Sequence, residues 1–275
     1  MAEYVASINE QYGRTELNVR ILNAFKSEGI DVDALTLDDL SRFDQLHSGG
    51  REATRLLANL AGLKPCMEVL DIGSGVGGPA RTLAAEFGCQ VIGLDITEEY
   101  VKAAQMLSNK VGLSEVVTFR EGNALELEFT DGVFDAVWTQ NSIMNIENKD
   151  RVFQEAHRVL RSNGVLALEA LMAGPKQETQ FPVFWADSPA VSFLSTSDSF
   201  RQMMAETGFK ELVWNDVTQQ AIDGGRKQQA AAGDAPPPLG LHILFSDVPR
   251  KAKNTLRGLE NGTYVDIYAV YERAA

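Results

Sequence analysis

The run Val69-Leu70-Asp71-Ile72-Gly73-Ser74-Gly75-Val76-Gly77-Gly78 places a carboxylate two residues ahead of a glycine-rich turn. A strand that turns sharply into a helix needs residues without a Cβ, and the same glycines let the backbone approach a ligand closely. Gly73, Gly75 and Gly78 satisfy G-x-G-x-x-G, the dinucleotide fingerprint, although glycines at this spacing can also serve a tight turn alone. Asp95 closes a second apolar run, Ile92-Gly93-Leu94. An acid about 20 residues beyond such a loop can accept hydrogen bonds from ribose hydroxyls, and it also suits the neighbourhood of a helix N-cap. In Gly122-Asn123-Ala124 the Asn123 carbonyl can accept from an adenine amino group; asparagine is equally a turn residue.

Asp71 discriminates between ligands. A carboxylate there suits a ligand that carries an ammonium and a sulfonium, and it sits badly beside a negative pyrophosphate. Asp71, Asp95 and Asn123 together favour S-adenosylmethionine (SAM) over NAD(P). The chain has three histidines. His157 falls within a helix and reads as scaffold. His47 precedes Ser48-Gly49-Gly50, and His242 follows a triple proline in Leu239-Gly240-Leu241-His242. Both are expected to face the cavity of a methyl acceptor and are the candidate catalytic residues. No metal is expected, because the histidines show no ligand spacing.

These residues need a frame that brings them to one edge. Strands are predicted at Met67 to Asp71, Gln90 to Asp95, Val116 to Arg120, Phe134 to Thr139 and Val165 to Leu171. Helices alternate with them: Pro79 to about Gly88, Glu98 to Val111 with Thr97 as N-cap, and Asn148 to Arg161, ended by Asn163-Gly164. This order implies βαβ units in a parallel sheet with helices on both faces. Residues 1–50 read as a helical cap with Thr36 as an N-cap, and a helix from Arg51 to Leu60 opens the main domain, residues 51–275. After Gly174 the pattern breaks. Lid segments are expected near 175–197, with Phe181, Phe184 and Trp185, and near 219–262, between closing strands at Leu212 to Val217 and Val265 to Tyr271. Trp185 is read either as lid packing or as a wall of the acceptor pocket.

The sequence resembles a class I SAM-dependent methyltransferase, in the subgroup of ubiquinone/menaquinone-type and sarcosine/dimethylglycine-type small-molecule enzymes. The resemblance rests on Asp44 to Gly50, the glycine loop, Gly93-Leu94-Asp95, Phe134-Asp135-Ala136-Val137-Trp138-Thr139-Gln140, Arg158 to Gly164 and Thr207-Gly208-Phe209. It implies a Rossmann-like α/β fold: a seven-stranded, mostly parallel sheet whose last strand is antiparallel and lies beside the sixth. It further implies that Asp71, Gly73, Ser74 and Gly75 meet the methionine part of SAM, that Asp95 holds the ribose and Ile96 flanks the adenine, that Asn123 and Ala124 meet the adenine amino group, and that Gln140 lies near the methionine end. Two positions depart from the pattern: Asn123 stands where an acid is usual, and Asn141 where relatives often have histidine.

Composition narrows the partners. The 275 residues carry a formal charge of −13, which repels phosphate backbones and counts against nucleic acid. No apolar stretch approaches the roughly 20 residues that span a bilayer, and Cys66 and Cys89 lack metal or disulfide spacing. A cytoplasmic protein with a small-molecule acceptor is expected, with a homodimer left open. The alternatives are an NAD(P)-dependent Rossmann oxidoreductase and a non-catalytic SAM-binding protein.

Overall fold

Val69, Leu70, Asp71 and Ile72 are all buried, as a strand covered on both faces requires. The computed structural model describes residues 12–13, 15–176, 178–231 and 237–274. Its strands are β1 (Glu68–Ile72), β2 (Gln90–Asp95), β3 (Val117–Glu121), β4 (Phe134–Gln140), β5 (Leu160–Ala173), β6 (Phe209–Asp216) and β7 (Tyr264–Arg273). They form one seven-stranded sheet in the order β3-β2-β1-β4-β5-β7-β6. The first five pair in parallel. β7 lies between β5 and β6 and is antiparallel to both, so β6 runs parallel to the first five, as expected. The strand order reverses between β1 and β4, the place where open α/β sheets leave a crevice at their carboxyl edge.

Helices α1 (Leu17–Ser27), α2 (Leu37–Leu40), α3 (Gly50–Leu60), α4 (Gly78–Phe87), α5 (Glu98–Lys110), α6 (Lys149–Val159) and α7 (Ser197–Glu206) surround the sheet. Leu57, Leu83, Ala104 and Trp138 share one core. Phe153, Ala156, Phe200 and Met204 share a second with Leu70 and Val137. The cap buries Leu17, Ile21, Phe25 and Phe43 against Tyr100 and Leu107 of α5. Thr36 caps α2 through a reciprocal capping box with Asp39.

Three local expectations change. Asn163-Gly164 does not end α6, which stops at Val159. β5 begins at Leu160, and Asn163, with φ 62°, lies in the register irregularity where β5 meets β4. Thr97 sits at the N-cap of α5 without a side-chain capping bond; the Asp95 carboxylate accepts the Thr97 N–H instead, at 2.9 Å. The lid near 219–262 is largely helical: α8 (Thr218–Ala231) and α9 (Val248–Glu260) flank a short turn at Leu241–Ile243. Gly224-Gly225 in mid-helix hid α8, because interior glycines oppose helix formation and only tertiary contacts override them.

Candidate active site

The exit of β1 is tied to β2, since the N–H groups of Gly73 and Ser74 both donate to the Leu94 carbonyl, at 2.8 and 3.1 Å. Gly73 has φ +74°, and a Cβ there would lie 2.2 Å from the Ser142 Cβ. At Gly78 a Cβ would lie 2.2 Å from the Asp44 carbonyl oxygen. Glycine is therefore required by close approach on both sides: the end of β4 crowds the loop from one side, and the cap segment from the other. The buried Arg81 clamps that cap, donating to Asp44 Oδ2 at 2.9 Å and to the Val76 carbonyl at 2.7 Å.

Asp71 is 1% exposed, and its Oδ2 has no hydrogen-bond partner among the described residues. Burial, reinforced by the Asp95 charge, pushes its carboxyl up to about 8. Ser74 Oγ and Asn141 Oδ1 are likewise buried without a partner. An orphaned acid with two orphaned polar oxygens nearby in the fold suits a cationic group such as the ammonium of SAM. Asn141 has φ 51°, a left-handed conformation that asparagine tolerates better than most residues. Burial raises the Asp95 carboxyl, while hydrogen bonds from the Thr97 and Gly75 backbones oppose the rise; the Gly75 bond is 2.8 Å. Asn123 Oδ1 accepts the Leu125 N–H at 3.0 Å, so the turn role proposed for that side chain is realised.

A polar cluster backs the next part of the edge. Gln140 ends β4 beside Glu169 of β5, which in turn faces Tyr268 of β7. Gln140 Nε2 donates to Glu169 Oε2 at 2.8 Å, and Gln140 Oε1 accepts from Thr54 Oγ1 and Trp138 Nε1, both at 3.0 Å. His47 Nδ1 faces Glu169 Oε2 at 3.3 Å and the Ser48 carbonyl at 3.1 Å. Its Nε2 faces Gln45 Oε1 and Thr54 Oγ1, each at 3.2 Å. The Thr54 hydroxyl gives its proton to Gln140 Oε1 and so can accept from His47 Nε2, while Nδ1 is surrounded by the Glu169 and Ser48 oxygens and by the Gln140 Nε2 donor at 3.3 Å. Burial pulls the His47 pKa down, but the Glu169 carboxylate outweighs it and the net direction is up. The buried contact with Glu169 thus favours the protonated imidazole. Glu169 and the fully buried Asp266, whose carboxyl burial drives well above its ordinary range, were missed in the sequence. They sit inside apolar strand runs, where only an acid in a buried register would signal them.

One cavity of about 1210 Å³ runs along this edge. Its lining includes Gly73, Ser74, Gly75, Asp95, Ile96, Asn123 and Ala124 at one end, then Gln140 and His47, then His242 and Phe245. Both candidate histidines therefore border the same space. Asp71 is buried and does not border the cavity itself, while the next residue, Ile72, does. Phe184 and Trp185 also line the cavity. Trp185 is held in place, its Nε1 donating to Ser192 Oγ at 2.9 Å and its ring meeting Tyr264 edge to face at 4.9 Å.

A glycine loop at the switch point of this sheet, with Asp71 behind it, Asp95 at the end of β2 and β7 inserted antiparallel between β5 and β6, is the arrangement of a SAM-binding methyltransferase fold. Residues 70–168 match a methyltransferase-domain family, Methyltransf_11. The sarcosine/dimethylglycine N-methyltransferase of Halorhodospira halochloris is 32% identical over 162 residues, 58% of this chain and 57% of that protein. Methyltransferase GfsG of Streptomyces halstedii is 30% identical over 191 residues, 68% of each chain. In fold, the geranyl diphosphate C-methyltransferase of Streptomyces coelicolor A3(2) superposes with a TM-score of 0.71 at 17% identity, covering 98% of both chains. The chain belongs to the SAM-dependent methyltransferases. It spans a little over half the length of the N-methyltransferase it matches.

Proposed function

We propose that the chain transfers the methyl group of SAM to a small-molecule N, O or C acceptor by in-line displacement. The observation that carries this is the single cavity joining the glycine loop to His47, His242 and the aromatic wall. SAM supplies a methyl group already activated on a sulfonium, so the chain's own work is to position an acceptor and exclude water. Positioning of this kind can remove ~7–11 kcal/mol of barrier. In this reading Asp71, Ser74 and Asn141 bind the methionine end, Asp95 takes the ribose, and Ile96, Asn123 and Ala124 border the adenine.

His242 is proposed as the group that takes a proton from an acceptor that must lose one. His47, paired with Glu169, orients Gln140 and holds the cap segment against the sheet edge. The cap, residues 1–50, and the main domain, residues 51–275, are proposed to close around the acceptor through the segments near 175–197 and 219–262. Relatives named for dimethylglycine and structural neighbours named for geranyl diphosphate support a small-molecule acceptor. No helix among the described residues is long and apolar enough to cross a membrane. A cytoplasmic location is proposed; the formal charge of −13 supports the absence of nucleic-acid partners, and light scattering distinguishes monomer from homodimer.

The test is calorimetry with S-adenosylhomocysteine (SAH) and NADH side by side. Binding of SAH alone is expected. Binding of NADH alone returns the chain to the oxidoreductase reading, and SAH binding with every acceptor refused favours the non-catalytic one.

A further inference from the structure

The cavity exceeds the range of about 300–1,000 Å³ that holds one drug-sized ligand. Beyond the glycine loop its walls come from α8 and α9. On α9, Val248, Ala252, Thr255, Leu256 and Leu259 border the cavity, and their spacing puts them on one helical stripe. Facing them on α8 are Ala221, Gly224, Gly225 and Gln228. The charged residues that border this end, Lys227, Asp247 and Lys253, are exposed and therefore rim it.

Two adjacent glycines inside a helix need a reason, because glycine disfavours helix relative to alanine. Gly225 has one in packing: a Cβ there would lie 3.0 Å from Leu256 Cδ1, so the glycine lets α8 and α9 approach. Gly224 has no such reason. Its φ lies outside the left-handed range, and among the described residues nothing stands within 4 Å of where its Cβ would be. Gly224 borders the cavity.

Resting on the methyltransferase reading above, we infer that the acceptor is a bulky, predominantly apolar molecule of isoprenoid or polycyclic type, and that Gly224 sets the width of its chamber. With SAM at the glycine-loop end, a small zwitterion would leave the space between α8 and α9 unfilled and its charges there without buried partners. A hydrocarbon-rich body fills it and buries apolar area on both helices.

The test uses N-phenyl-1-naphthylamine, a fluorescent apolar probe, titrated into the full chain saturated with SAH. The wild type is expected to bind it. Gly224→Leu and, from the opposite wall, Ala252→Phe are each expected to weaken probe binding by about tenfold or more, as overfilled sites do, with SAH affinity unchanged. Gly224→Ala should stay near the wild type. Leucine favours helix over glycine, so the Gly224→Leu melting temperature should not fall. Failure of the SAH-loaded wild type to bind the probe, or unchanged affinity in both filling variants, overturns the inference. Absence of SAH binding contradicts the methyltransferase reading instead; probe binding to the cofactor-free chain, lost in both variants, would then still support the apolar chamber.

Discussion

Glu169 Oε2 lies 3.3 Å from His47 Nδ1, and both side chains are at most 1% exposed. The pair joins β5 to the cap segment that also covers the glycine loop, so it couples the placement of the cap to the sheet edge. Removing one partner of a buried pair strands the other. Glu169→Gln is expected to cost about 3 kcal/mol of unfolding free energy, measured in urea. A double-mutant cycle with His47→Gln should return much of that loss. Additive losses would show that the two do not interact.

The Asp71 carboxyl, pushed up to about 8 by burial and by Asp95, is largely protonated at neutral pH in the cofactor-free chain. Binding a cationic ligand against it requires the carboxylate. SAH affinity is therefore expected to rise between pH 6 and about 8, with proton release on binding, and to level off above that. Asp71→Asn should bind more weakly and lose the pH dependence. Calorimetry in buffers of different ionisation enthalpy reads both effects.

The same shift bears on stability. A carboxyl whose pKa is higher folded than unfolded stabilises the fold fully below its unfolded value and loses that contribution as pH rises through the folded one. Asp71 and Asp266 both shift upward through burial, and His47 also shifts upward, the pull of Glu169 overcoming burial. The melting temperature of the cofactor-free chain should therefore decline from about pH 5 to about pH 8. Asp71→Asn should flatten the decline, and an equally steep slope in that variant would contradict the assignment.

Much of the frame was readable. β1, β2 and β4 were expected as apolar runs ending in Asp71, Asp95 and Thr139, each within one residue of the observed strand end, and β7 was placed beside β6 through the family resemblance. The ion-pair cluster was not readable, because Glu169 and Asp266 are far apart in sequence and meet only through the β5–β7 pairing, where Leu171 faces Asp266. The helical character of α8 and α9 was not legible, because Gly224, Gly225 and the prolines speak against helix locally, and the packing of Ile222 with Leu256 that overrides them is tertiary. His47 was expected on the cavity, which it borders, but its contact with Glu169 was not legible, since the two meet only through the fold.

His242 is proposed as a proton acceptor on the cavity wall. His242→Ala is expected to lower kcat by about 10²- to 10⁴-fold for a phenol or carbon acceptor, which gains from a general base. With an amine that arrives already deprotonated, kcat should change little. Equal effects on both acceptor classes would assign His242 to binding.

Gly73 is pressed against Ser142, so Gly73→Ala meets both a left-handed φ and a Cβ contact of 2.2 Å. The conformational part alone costs roughly 1–2 kcal/mol. SAH affinity is expected to fall by about tenfold or more, and Ser142→Gly in the same chain should restore only the steric share. Unchanged SAH binding in Gly73→Ala would place the cofactor elsewhere.

Methyl transfer itself tests the account most directly. The chain would be incubated with SAM carrying a deuterated methyl group and with a panel of amines, phenols, prenyl and polycyclic compounds, and the products read by mass spectrometry. The account predicts SAH formation matched by one deuterated methyl on an acceptor, abolished in Asp71→Asn/Gly73→Ala. SAH formed without a labelled acceptor, or a labelled acceptor that still forms in that double variant, would contradict it.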